Sequence, residues 1–140
     1  MPYASPTQAL NLPELDLDDL SRDMGPAPWR IPLIGTAAMR WVLIAWPPGF
    51  VTIPHLHPRG EEVFLILCGE AVFRFGDEDT DRHAGPAHLL RAQHGVLHTI
   101  GVPGPEPLLM LCSITPNEDA PDETIERPDG IGVTLPATRP

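Results

Sequence analysis

Gly49-Phe50-Val51-Thr52-Ile53-Pro54-His55-Leu56-His57-Pro58-Arg59-Gly60-Glu61-Glu62 is the stretch on which the fold of this chain turns. An extended strand points residues i and i+2 to the same face. His55 and His57 are therefore expected to project together, with Val51 and Ile53 on the same side. Two imidazoles so placed can share one metal ion. The turn at Pro58-Arg59-Gly60 then reverses the chain, and a carboxylate at the start of the next strand lands beside them. Either Glu61 or Glu62 can be that carboxylate, but not both, because strand neighbours face opposite ways. Two histidines alone would more simply form a polar turn. Here they sit among apolar residues and precede two adjacent acids, an arrangement that is costly unless the polar groups are compensated.

Outward from this stretch the sequence reads as short strands. Met39 to Trp46 is an apolar run stopped by Pro47-Pro48-Gly49. Val51 to His57 alternates and is broken only by Pro54, which suits a strand end or edge. Glu62 to Leu67 runs apolar up to Cys68-Gly69-Glu70, and Ala71 to Phe75 alternates before the turn Gly76-Asp77-Glu78-Asp79. Further strands are expected at His88 to Arg91, Leu97 to Val102 and Leu108 to Ile114. Seven or so short strands at this spacing predict a sandwich or barrel. A short helix is expected near Leu15 to Met24, with Leu17, Leu20 and Met24 on one face.

Composition agrees with an all-β chain. The 140 residues suit one domain, and 19 prolines with 12 glycines favour turns over long helices. Three regions differ: an N-terminal arm at 1–30, a β-barrel at 31–115 and an acidic, proline-rich tail at 116–140. The tail carries Glu118, Asp119, Asp122, Glu123, Glu126 and Asp129 and is expected to be draped or disordered. The net charge of -10 argues against nucleic acid and anionic membranes as partners. All nine basic residues are arginine, which excludes Schiff-base lysine chemistry and a P-loop lysine. Apolar runs such as Trp41 to Trp46 and Val63 to Cys68 are too short to span a bilayer. The start, Met1-Pro2-Tyr3-Ala4-Ser5, does not look like a signal peptide. Cys68 and Cys112 are expected to be buried thiols, and the protein is expected to be cytoplasmic.

The motif resembles that of the cupin superfamily. The family's first motif is a glycine, five residues, His-x-His, three or four residues, a glutamate, six residues and a glycine. Gly49, His55, His57, Glu62 and Gly69 match it at every spacing. The resemblance thus selects Glu62 over Glu61. In the second motif Gly95 and His98 match. Ala87, Gln93 and Val102 stand where the family has glycine, proline and asparagine. The resemblance covers roughly residues 39–114. It implies a cupin-type jelly-roll β-barrel flanked by irregular proline-rich arms, and makes His98 the fourth ligand.

From these residues the expected site is one divalent transition metal held by His55, His57, Glu62 and His98. A mixed nitrogen and oxygen set suits Fe, Mn, Ni, Cu or Zn better than Ca or Mg. The resemblance implies a metal-dependent enzyme of dioxygenase, isomerase or lyase type acting on a small organic molecule. A non-catalytic sensing or binding module is the alternative. Glu62 is the candidate catalytic base, as the resemblance to quercetinase-like dioxygenases implies. His94 is a second candidate acid or base at the pocket mouth. Cupin lyases acting on dimethylsulfoniopropionate use a pocket tyrosine, whereas the one tyrosine here is Tyr3. His83 and His88 are expected at the surface. Phe64, Ile66, Val51 and Ile53 are expected to wall the pocket. Arg40, Arg74 and Arg91 are each expected to face outward. A homodimer is expected from the apolar surface of a short barrel and the two arms.

Overall fold

The structure is a computed structural model that describes residues 8–76 and 78–117. The tail beyond Asn117 and Tyr3 lie outside the described residues. One helix, α1 (Leu17–Met24), precedes eight strands: β1 (Trp29–Gly35), β2 (Arg40–Trp46), β3 (Glu61–Cys68), β4 (Ala71–Phe75), β5 (Arg82–Ala84), β6 (Leu89–Ala92), β7 (His98–Gly101) and β8 (Leu108–Thr115). They form an antiparallel five-stranded sheet in the order β1-β2-β8-β3-β6 and a three-stranded sheet in the order β5-β4-β7. The two sheets face each other as the expected jelly roll.

Strand alternation sorts the apolar residues into two cores. Val42, Ile44 and Trp46 of β2, Phe64 and Ile66 of β3, and Met110 and Cys112 of β8 point between the sheets. There they meet Ala71 and Phe73 of β4 and Ile100 of β7, with the Phe64 and Phe73 rings 5.1 Å apart edge to face. The alternate residues of the same strands, Leu43, Ala45, Leu109 and Leu111, face outward. They are covered by Met24, Trp29, Ile31 and Leu33 with Leu17 and Leu20. The N-terminal segment therefore caps an apolar sheet face that water would otherwise meet.

The helix forms where its ends are satisfied. Asp16 caps the N-terminus by accepting from the Asp19 N–H, and Asp18 and Asp19 favour the positive end of the dipole. Gly25 ends it at φ 79°, and the Trp29 indole donates to the Gly25 carbonyl at 2.8 Å.

Two strands were not foreseen in the sequence. β5 is only three residues long, and β1 contains Pro32. Proline removes a ladder donor, so it reads as a loop signal; β1 accommodates it because it lies at the sheet edge. That edge is partly covered, since Leu10 and Asn11 donate to the Pro32 and Leu33 carbonyls. The Asn11 amide also exchanges hydrogen bonds with the Gly35 backbone.

Candidate metal centre

The stretch from Val51 to His57 is not a regular strand. It meets β7 through isolated bridges, Val51 with Gly101 and His55 with His98, and through Thr52, which donates to the Ile100 carbonyl and accepts from the Ile100 N–H at its hydroxyl. Phe50 packs inward, its ring 4.4 Å from that of Trp46. Val51 is 56% exposed, so it does not wall the pocket as expected. The parity then changes before His55 and His57, which do turn inward. Pro54 lies in the interval and cannot extend a hydrogen-bond ladder. The strict period of two thus holds across His55-Leu56-His57, with Leu56 exposed, but not back to Val51.

Glu62 enters the site from the second residue of β3 and is buried. Glu61 points outward and pairs with Arg91 at 2.9 Å. The first residue of β7 supplies His98, which is 2% exposed. The geometry therefore brings together His55, His57, Glu62 and His98, with one ligand atom from each lying within 4.8 Å of all the others. Ligands held about 2.1 Å from one ion are at most about 4.2 Å apart, so a contraction of about half an ångström would seat a first-row divalent ion.

Hydrogen bonds fix which nitrogens face inward. His55 Nδ1 lies 2.8 Å from the Ile53 carbonyl and His98 Nδ1 lies 3.0 Å from that of Val96. A carbonyl only accepts, so each Nδ1 carries the proton and each neutral ring keeps its lone pair at Nε2. His98 Nε2 nevertheless stands 3.1 Å from Glu62 Oε1, and His57 Nε2 stands 3.2 Å from the same oxygen. A lone pair facing a carboxylate oxygen is repulsive unless a proton or a cation lies between them. The donor set therefore fits a metal ion.

The electrostatics point the same way. Burial, aided by His98, lowers the His55 pKa from 6.5 to about 4, so this ring is neutral near pH 7, as a ligand must be. Burial works against the charge on Glu62. The charge of His57 and the close polar contacts of His57 and His98 outweigh it and hold the carboxyl well below its ordinary range. Glu62 is thus an anion in the buried interior, among three histidines.

The remaining expected residues fall elsewhere. His94 is exposed in the turn between β6 and β7, outside the cluster of four. His83 and His88 are exposed, as expected. Cys112 is buried but Cys68 is exposed, which corrects the expectation for the latter. Arg74 and Arg91 face solvent and pair with Asp81 and Glu61. Arg40 departs from the outward expectation. It shares a face of β2 with Val42 and Ile44, whose side chains fill the space between the sheets. Arg30 carries no signal in the sequence because β1 itself carries none; it lies between Trp29 and Ile31, both in the outer core, and so on the inner face of its strand.

Residues 42–114 match the family described as "Cupin domain". The chain belongs to the cupin family. Comparison with curated proteins gave no match. Among solved structures, this cupin is similar to a protein of Thermus thermophilus, with 28% identity, 75% of this chain and 98% of that chain covered, and a TM-score of 0.65. It is also similar to a "predicted oxalate decarboxylase" of Thermotoga maritima, with 24% identity, 61% and 77% coverage, and a TM-score of 0.57. A third is a DMSP lyase of Ruegeria pomeroyi, with 23% identity, 61% and 42% coverage, and a TM-score of 0.55. The last two likenesses, each under 25% identity, are likenesses of fold. No helix among the described residues is long and apolar enough to cross a membrane.

Proposed function

We propose that this cupin is a metal-dependent enzyme acting on a small organic molecule, with one divalent ion of Fe, Mn, Ni, Cu or Zn held by His55, His57, Glu62 and His98. The observation that carries this reading is the buried convergence of four donor atoms within 4.8 Å, two of them on histidines fixed by backbone carbonyls. When bound, the metal supplies Lewis acidity to an oxygen of the substrate.

The chain's own residues do the rest. His55 and His98 present fixed Nε2 lone pairs, and Glu62 supplies the one negative charge among the four donors. Phe64 and the apolar residues beyond it exclude water from the inner side of the site. His94, exposed in the turn before β7, is proposed as a second acid or base. Glu62 is proposed to take a substrate proton in addition to its role as ligand. A dioxygenase, an isomerase and a lyase all fit a site of this kind. A homodimer and a cytoplasmic location are part of the same proposal.

Elemental analysis of protein expressed with supplemented metals tests the metal reading. About one transition metal per chain is expected, and His57→Ala should lose it. Absence of metal from the wild-type protein would overturn the proposal.

A further inference from the structure

The segment that carries His55 and His57 holds one residue more than the strand it faces. Thr52 exchanges two hydrogen bonds with Ile100 of β7, and His55 exchanges two with His98. Between these pairs, Ile53 and Pro54 on one side face Thr99 alone on the other. Two residues against one make a β-bulge, a device that re-aims the side chains beside it. Counted by twos from the exposed Val51, His55 and His57 would face outward. The extra residue turns them toward Glu62 and His98 instead.

The groups of the bulge are each satisfied. Pro54 has no N–H to leave unpaired. The Ile53 carbonyl lies 2.8 Å from His55 Nδ1 and so fixes the orientation of that ring. At the start of the bulge the Thr52 N–H donates to the Ile100 carbonyl at 2.9 Å. In a regular antiparallel pair the Ile100 N–H would donate back to the Thr52 carbonyl. Here it donates to the Thr52 hydroxyl, Oγ1, at 2.9 Å. A side-chain oxygen thus replaces a backbone acceptor, which leaves the Thr52 carbonyl outside the pair and lets the chain depart from the ladder. The His55 and His98 pair, by contrast, is closed by backbone groups in both directions, at 3.1 and 2.9 Å. Ile100 is buried, so its amide without an acceptor would be costly.

We propose that Thr52 is a positioning residue of the metal centre: its hydroxyl holds the bulge, and the bulge aims His55 and His57 at the ion. Without the hydroxyl, the Ile100 N–H takes the Thr52 carbonyl as in a regular pair. That draws the segment toward the register in which His55 faces outward. The assignment rests on the metal reading above and deepens it, since it gives a residue outside the four donors control over two of them.

The test uses zinc-loaded full-length protein, with metal content measured first. Thr52→Ala removes the hydroxyl and Thr52→Ser keeps it. Zinc affinity, measured by chelator competition where each variant is folded, should fall about 10- to 100-fold in Thr52→Ala, the range usual for groups that orient a ligand. It should stay near the wild-type value in Thr52→Ser. Cobalt-loaded Thr52→Ala should show altered visible absorption bands, because the donor set around the ion changes, and Thr52→Ser should keep those of the wild type. A Thr52→Ala protein that loses stability yet keeps wild-type zinc affinity and cobalt bands would reduce Thr52 to a structural role and overturn the proposal. Equal loss of affinity in both variants would overturn it too. If Thr52→Ala does not fold, the wild type still decides. Zinc and the bulge stabilise each other, so zinc should slow hydrogen exchange at the Ile100 amide, and exchange unaffected by zinc would overturn the proposal. A wild-type protein that takes up no zinc contradicts the metal reading itself, and the prior metal measurement separates that failure from the others.

Discussion

His98 and Glu62 are thirty-six positions apart in the chain, yet His98 Nε2 meets Glu62 Oε1 at 3.1 Å in the interior of the barrel. The contact spans the two sheets, since Glu62 belongs to the five-stranded sheet and His98 to the three-stranded one. It joins a carboxylate to a nitrogen whose proton is already committed to the opposite side of the ring. Glu62→Gln removes the negative charge and leaves the volume nearly unchanged. Metal affinity should fall by on the order of 100-fold or more, beyond the effect usual for groups that only orient a ligand. Competition with a chromogenic chelator measures this directly.

The metal-free protein should lose stability as pH falls. The folded-state pKa of His55 is lowered to about 4 from 6.5. Between these values the unfolded chain takes up a proton that the folded chain refuses. Stability is therefore greatest above about 6.5 and declines as pH drops toward about 4. From about pH 7 to about pH 5 the loss from this one group is about 2 kcal/mol. Glu62, whose pKa is also depressed, adds a loss of the same sign at lower pH. Urea unfolding of chelator-treated protein at several pH values checks this, and His55→Ala should flatten the slope above pH 5. A wild-type stability independent of pH over that window contradicts the stated environment of His55.

The outer core makes a separate prediction. Trp29 is 6% exposed and ties the end of α1 to the sheet through its indole N–H. Trp29→Ala should cost about 3–5 kcal/mol. Metal stoichiometry below the new melting temperature should be unchanged, because Trp29 packs on the face opposite the metal cluster. Thermal unfolding and elemental analysis of the same sample separate the two effects.

Gly69, the last glycine of the first motif, should tolerate no side chain. Its φ is 80°, and a Cβ placed there would lie 2.2 Å from the Pro107 carbonyl oxygen. Gly69→Ala combines a strained backbone with a backbone clash and should cost at least about 2 kcal/mol. Chemical denaturation gives the value, and a cost under half of that contradicts the close approach of the 69 turn to Pro107.

Much of this molecule was legible because alternation is a local property. Phe64 and Ile66 follow Glu62 inward at every second position, and Val42, Ile44 and Trp46 separate from Leu43 and Ala45 in the same way. The pairing of His55 with His57 was readable for that reason; alternation left Glu61 and Glu62 as alternatives, and the resemblance to the motif chose Glu62. What escaped notice depends on tertiary context. β1 carries a proline that only an edge position allows, and its existence follows from the apolar outer face it covers. The exposure of Val51 follows from a change of parity before His55 that residue spacing does not reveal. The inward placement of Arg40 follows its parity with Val42 and Ile44 along β2, but it runs against the usual cost of turning a cation toward a core.

The most direct test of the metal assignment is a crystal structure of the protein with anomalous scattering recorded at metal absorption edges. The predicted result is one anomalous peak of a first-row transition metal at bonding distance from His55, His57, Glu62 and His98 together. A protein that crystallises from metal-supplemented solution with no such peak among these four residues, or with the ion bound elsewhere, would contradict it.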